Sequence, residues 1–325
     1  MKPHEVPRMS PQSDMTNPNK GTVVWSPGKS LWFTAHLIIA VVGGWMTLSA
    51  GAVMLSFAFT VVTLCLGHTL GLHRLLIHRS FACPRWLEYL LVNLGTVVGM
   101  GGPFRIIYMH DIRDWAQRHE SCHPFFIHQN PLWKDFLWQL HCEIRLLNPP
   151  RFQIERSVAN DPLHRFLQQT WMLQQVPWAA LFYAFGGIEL VIWCISVRIT
   201  ISLIGHWLVG YFAHNAGSRD WHLRGHAVQG HNVPRIGLLT MGESWHNNHH
   251  AFPGSARLGL SPTQPDPGWW ALRILQMLGL AWNIKLPADL PERPELLALN
   301  LAARRPLTPV TGPEALESER LRTFP

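Results

Sequence analysis

The chain opens polar and then turns apolar for a long stretch. From Ser30 to His73 there is no Asp, Glu, Lys or Arg, a run of 44 residues. One spanning helix needs about 20 residues, so the run predicts two helices and a tight turn, placed at Ser49, Ala50 and Gly51. A second weakly charged run extends from Phe166 to His214 and contains Gly186 and Gly187 followed by Glu189. It predicts a second hairpin turning at the two glycines, and thus four membrane helices. Trp86 to Met100 is also apolar, but its 15 residues before Gly101, Gly102 and Pro103 are too few to cross. That stretch reads as an interfacial or buried helix.

Charge orients these elements. Of 27 Lys and Arg residues, only Arg198 lies within the two hairpins. This asymmetry places both termini and the segment from Leu76 to Arg165 on the cytoplasmic side. Arg198, inside a span, is expected to face the bundle interior or a wet cavity, either as a structural partner of Glu189 or in a substrate role. Composition supports the membrane reading: 47% of residues are apolar and 14% charged, against about 25% charged in soluble domains. A mean hydropathy of +0.05 requires a sizeable polar portion as well. The net charge of +7 suits a basic membrane rim rather than nucleic acid.

Five scattered cysteines predict a reducing compartment, not a disulfide framework. Met1 to Lys29 has no apolar core behind a charged start, so it reads as a disordered cytosolic tail and not a signal peptide. The domain plan is therefore a tail (1–29), a membrane domain with a cytosolic helical cap (30–260) and a C-terminal cytosolic segment (261–325). Disorder is expected over Arg304 to Pro325. The fold class is all-α integral membrane.

Nineteen histidines fall into groups: His68, His73 and His78; His119 and His123; His214; and His246, His249 and His250. The last three, at i, i+3 and i+4, share one helical face and can converge on a metal. His119 and His123 repeat the i, i+4 spacing. His73 and His78 are five apart, about 140° around an ideal helix, so a shared site requires a helix end or a widened turn. Imidazole binds Zn, Cu, Fe and Ni alike, which leaves the metal open. His36, His128, His141, His164, His222, His226 and His231 read as ordinary residues.

The segments Gly67-His-Thr-Leu-Gly-Leu-His-Arg-Leu-Leu-Ile-His-Arg-Ser-Phe81 and Gly242-Glu-Ser-Trp-His-Asn-Asn-His-His-Ala-Phe-Pro253 resemble the first and third histidine boxes of the stearoyl-CoA (delta-9 acyl) desaturase family. Trp115 to His123 resembles the second box, and Arg198 to His214 the fourth helix, with Trp207 and His214 in register. The resemblance covers roughly Leu31 to Leu260. It implies two irons held by His73, His78, His119, His123, His214, His246, His249 and His250. It also implies O2 as cosubstrate and removal of two hydrogens from adjacent methylenes of an acyl-CoA or other acyl thioester, in a hydrophobic tunnel entered from the bilayer.

Two positions depart from the pattern. Cys122 stands at the middle of the second box, where the family has histidine, and Gly210 stands where it has asparagine. His68, His110 and His206 are the nearby residues that would compensate, and Cys122 itself would either ligate or fill space as a compact apolar side chain. Arg74, Arg79, Arg118 and Arg257 flank the boxes and are candidates for holding an activated acyl headgroup. A solvated basic rim explains them equally well.

Two electrons are required per turnover. No HPGG haem signature and no cluster-type cysteine spacing is present, so the expected partners are an external donor (a ferredoxin or a small b-type cytochrome with its reductase), the acyl substrate and membrane lipid. A lipid hydroxylase of the same superfamily is the alternative enzyme. A bis-histidine membrane cytochrome or a zinc transporter is the alternative of another class. The spans lack the acidic ligands a transporter would carry.

Overall fold

In the computed structural model, which describes residues 7–299, three helices are long and apolar enough to cross a membrane: Pro27–Met46, Ala50–Ile77 and Gln175–Asn215. Protein buries only 22%, 39% and 28% of their most apolar windows. The remaining apolar surface matches lipid rather than water as its solvent. The turn after the first helix is Thr47–Ser49, slightly earlier than the glycine-based expectation. Ser49 Oγ accepts from Ala52 N–H at 3.2 Å and so caps the next helix, in which Ala50 and Gly51 are already helical.

The Gln175–Asn215 stretch runs for 41 residues, but its backbone is not helical at Gly186 (φ −159°, ψ 23°) and Gly187 (φ 63°, ψ −155°). The positive φ suits glycine, which has no Cβ to clash. Arg198 Nη2 donates to Gln175 Oε1 at 2.7 Å. In a straight helix these residues would stand about 35 Å apart, so the chain folds back at the glycines. Ser49 donates to the Glu189 carboxylate, and Trp193 Nε1 donates to Thr47 O at 3.1 Å, so the two turns meet. Arg198 is fully buried and also donates to Cys194 O. The pairing with Glu189 expected from sequence is not made, because Ser49 takes Glu189 and Gln175 lies across the hairpin from Arg198.

Contacts divide the chain into two units. The first comprises Met1–Val53, Gly99–Trp207 and Gly225–Val228. Residues 7–29, expected as a disordered tail, are ordered within it. Gly21–Trp25 pairs antiparallel with Cys142–Leu146, Met9–Ser10 pairs with Arg151–Phe152, and Arg8 bridges Asp111 and Glu155. The β-branched pair Val23 and Val24 favours a strand, and no residue of Gly21–Trp25 is fully buried. Around the Pro103–Gln117 helix lies an apolar cluster of Met9, Ile112, Ala116, Cys122, Phe125, Phe126 and Val228.

The second unit comprises Met54–Val98, Leu208–Arg224 and Gln229–Pro325. The Arg85–Val97 helix is buried along one side rather than lying free at an interface. It packs on Thr63–Ile77 through glycines: a Cβ at Gly67 would lie 2.4 Å from Leu94 C and Gly95 N, and one at Gly71 would lie 2.3 Å from Leu91 O. Small residues four apart allow this approach. A third short ladder joins Trp221–Leu223 to Leu296–Ala298. Among the described residues the protein is mostly helical, as the all-α expectation holds, with three short two-stranded ladders beside the helices. The expectation of disorder for Arg304 to Pro325 concerns residues outside those described.

Candidate metal centre

The first box sits in a widened helix. Thr63–Ile77 is a π-helix, in which hydrogen bonds run i→i+5, and His78 N–H closes the series on His73 O at 3.0 Å. Residues five apart therefore stack one turn above another, which removes the 140° conflict. His68 and His73 are near-parallel with ring centroids 6.4 Å apart, and His73 and His78 are 4.8 Å apart.

The third box is the six-residue helix His246–Ala251. Its three imidazoles do not converge on one point, as the shared-face reading expected. His249 joins His73 and His78, with centroids at 4.7 and 4.8 Å. His246 and His250 join His214, at 4.7 and 5.5 Å. Within each triplet one ligand atom per residue lies within 4.8 Å of the others. A step of three residues versus four rotates a side chain by about 100°, enough to serve two centres from one short helix.

So short a helix needs outside support. Asn232, fully buried, accepts the Asn247 and Asn248 N–H groups on Oδ1 at 3.1 and 3.3 Å, a cap delivered from a distant loop. Asn247 donates to Trp221 O and Gly230 O. Asn248 donates to Leu258 O and Gln264 Oε1. At the other end Arg293 Nη1 donates to His250 O at 2.7 Å. The two asparagines thus anchor the side of the helix that its histidines leave.

Hydrogen bonding selects tautomers. His214 Nδ1 donates to Gly210 O at 2.6 Å, which leaves Nε2 with a lone pair. His246 Nε2 lies 3.2 Å from His214 Nε2 and 3.0 Å from His250 Nε2. One nitrogen cannot pair well with both neighbours, so at least one contact is left unsatisfied. Burial, together with His250 and His214, holds the His246 imidazole well below its ordinary value, hence neutral. The mutually facing nitrogens of buried His214 and half-buried His246 and His250 fit a bound cation. In the other triplet His73 Nδ1 is 2.8 Å from Glu243 Oε2, the carboxylate–histidine arrangement that orients metal ligands. Burial opposes ionisation of Glu243, but the contact with His73 and the Arg74 guanidinium outweigh it and hold the carboxyl below its usual range.

The second box differs. The helix ends at Gln117, so His119 and His123 do not share a helical face. His119 Nδ1 donates to Trp115 O at 2.8 Å, again leaving a lone pair on Nε2. His123 is turned the other way: its Nδ1 accepts from Phe125 N–H at 3.1 Å and caps Pro124–Ile127, which puts the proton on Nε2. Cys122 is 7% exposed within the apolar cluster, and burial pushes its thiol up to about 11. It packs as a buried side chain among Met9, Ile112, Ala116, Phe125 and Phe126.

Of the remaining candidates, His110 contacts Asp111 at 3.1 Å, and His206 is exposed. Arg74 is buried, paired with Asp266 at 2.7 Å and donating to Ala256 O, so it holds protein rather than a headgroup. Arg118 pairs with Asp114 on the surface. Arg257 donates to Gly259 O and lies over Trp269. Arg79 is half-buried with φ 50°. Sequence reasoning missed Asn232, Glu243 and Arg293. Asn247 and Asn248 were visible inside the motif, whereas Asn232 carried no local signal. All five cysteines are free thiols.

No family model matches the chain. It is similar to the sn-1 stearoyl-lipid 9-desaturase of Anabaena variabilis, 37% identical over 227 residues that cover 68% of this chain and 79% of the relative. The sn-1 stearoyl-lipid 9-desaturase of Synechocystis sp. is 34% identical, with 73% of each chain covered. The acyl-CoA C20 Delta5-desaturase of Anemone leveillei is 32% identical, over 73% of this chain and 75% of its own. Such similarity over most of the chain, in a membrane-associated protein with two imidazole triplets, identifies it as a member of the fatty acid desaturase family and an oxidoreductase of lipid metabolism.

Proposed function

We propose that this protein desaturates carbon 9 of a fatty acyl chain with O2, using two irons held by the two triplets. The observation that carries the reading is the pairing of triplets on one six-residue helix: His73, His78 and His249 for one ion, and His214, His246 and His250 for the other. His119 keeps the same tautomer as His214, with the Nε2 lone pair left to accept. His123 would first have to release Phe125 N–H. When bound, the irons supply O2 activation. The reaction balances as R–CH2–CH2–R′ + O2 + 2e⁻ + 2H⁺ → R–CH=CH–R′ + 2H2O, and an external donor provides the electrons. Glu243 would orient His73, and Asn232, Asn247, Asn248 and Arg293 would keep the shared helix from moving, so that both ions keep a constant spacing.

For the acyl carrier, the reading moves from a thioester toward a glycerolipid. The two relatives with the higher identities quoted above act on stearoyl-lipid at the sn-1 position, whereas the acyl-CoA relative stands at 32%. In topology, we take the 41-residue stretch as two spans turning at Gly186 and Gly187, for four spans in all, with both termini and the histidines cytoplasmic. Supporting this are the Gln175–Arg198 contact and the meeting of both turns at Glu189. Reporters after Lys29 and near Pro131 should be cytosolic and one near Gly186 outside. An external Pro131 reporter would overturn the topology.

The test of function is expression in a host that lacks its own desaturase, with pulse-labelled saturated fatty acid followed by mass spectrometry of separated glycerolipid and thioester pools. The double bond should appear first in glycerolipid. First appearance in thioesters would overturn the carrier assignment alone. Unchanged saturated chains with an iron-loaded protein would overturn the desaturation reading.

A further inference from the structure

We infer that the Pro267–Met277 helix lies in the membrane interface, with its outer face among lipid headgroups and upper acyl chains. The inference rests on the membrane-spanning reading of Ala50–Ile77. This helix is apolar on two sides. Its inner side is core: Leu272 is fully buried, and Trp269, Ala271 and Leu275 pack with Leu70, Leu87 and Leu91. Its outer side is a stripe at i, i+4, i+7 and i+8, namely Trp270 (51% exposed), Ile274 (53%), Met277 (67%) and Leu278 (65%). A helix with apolar residues on both sides is stable only when both are covered, and a contiguous exposed stripe of this kind marks an interaction surface.

The height of the helix identifies what covers it. Ala50–Ile77 has 28 residues, of which about 20 fill the hydrocarbon layer. Counted from Ala50, that layer ends near Thr69. Gly268 lies against this residue, since a Cβ there would be 2.5 Å from Thr69 Cγ2. The helix therefore meets the span where hydrocarbon gives way to headgroups. Its chemistry suits that level: Pro267–Met277 has no acidic residue and has one cation, Arg273, whose guanidinium lies 5.8 Å from the Trp269 ring. Tryptophan and arginine are the residues that settle at the interface.

Neighbouring apolar groups extend the surface. Ala82 and Trp282 exchange backbone hydrogen bonds at 2.8 and 2.9 Å, and Trp282, Trp86 and Leu90 are exposed as well. The anchor is coupled to the first box through Asp266, which caps this helix by accepting from Trp269 N–H at 2.9 Å. The same carboxylate pairs with Arg74, next to His73. A fixed height in the bilayer is thereby passed to the metal-binding segment.

Nitroxide labels test this in the full chain, reconstituted in phosphatidylcholine and phosphatidylglycerol vesicles. Single cysteines replace Ile274, Met277, Phe57 or Glu292, in a background with Cys83→Ser and Cys142→Ser. Ile274→Cys and Met277→Cys should collide with O2 several-fold more, relative to a water-soluble nickel chelate, than Glu292→Cys. If they match Glu292→Cys while Phe57→Cys remains in lipid, the anchor is wrong and the spanning reading stands. Labels at 274 and 277 shielded from both reagents would mean a protein covers the face, which also overturns the proposal. Water access at Phe57→Cys would overturn the spanning reading and the anchor with it.

Discussion

The His246–Ala251 helix and the Arg118–His123 segment both carry histidines four residues apart, yet the structure treats them oppositely. In the first, Asn232 caps the helix, Arg293 closes it, and two asparagines pin its far side. In the second the helix has already ended, Cys122 occupies an apolar cluster, and His123 turns its Nδ1 to Phe125 N–H. Equal spacing therefore does not make equal sites. What distinguishes them is whether surrounding groups absorb the backbone N–H donors, leaving imidazole nitrogens with a lone pair to offer.

The largest expected effect is on the pinned side. His250→Ala should reduce desaturation to background and lower bound iron, because His214 and His246 alone do not complete a triplet. Full activity with unchanged iron would remove that triplet from the reaction. Next comes the cap itself: Asn232→Ala should lower iron affinity or activity by about 10- to 100-fold, the usual cost of losing a group that orients ligands. Asn232→Asp keeps an acceptor for the two N–H groups and should retain more of both. Equal losses in the two variants would show that the cap is not what matters.

On the unpinned side the effects should be smaller. Cys122→Ser should keep iron and activity while costing about 1–3 kcal/mol in stability, for a hydroxyl placed in an apolar cluster. Loss of iron together with loss of a thiolate-to-iron absorption band would make the cysteine a ligand. The smallest effect concerns pH. Burial and Arg113 hold His128, beside Asp135, down to about 4 against an ordinary 6.5. As pH falls through 6.5 the unfolded chain takes up a proton that the folded chain refuses until about 4. Stability should therefore drop across that window and be independent of this group above it. Melting curves of the metal-free protein should show a decline of several degrees. His128→Gln should flatten it, and an unflattened decline would place its origin elsewhere.

Much of this organisation was legible in the chain. The charge-poor apolar runs marked the candidate spans, the glycine pair at 186 and 187 marked a turn, and the HNNHH motif marked histidines that could bind a metal. These signals are local: apolar periodicity, glycine's tolerance of positive φ and i, i+4 spacing act within a few residues. The tail was misread for a physical reason, since the strand Gly21–Trp25 is recognisable only beside its partner Cys142–Leu146. The five-residue step from His73 to His78 posed a geometric question that sequence could state and not answer. Tertiary contact answered it, because Gly67 and Gly71 let the Arg85–Val97 helix press against a segment wound as a π-helix. The sequence by itself determined which side chains could bind metal and which segments belonged in lipid, because these follow from the chemistry of individual residues and their near neighbours. Only the tertiary structure decided how three histidines of one helix divide between two centres, and which imidazole nitrogens keep a lone pair. Those choices depend on Asn232 and His214, which reach the site through the fold rather than from within the motif.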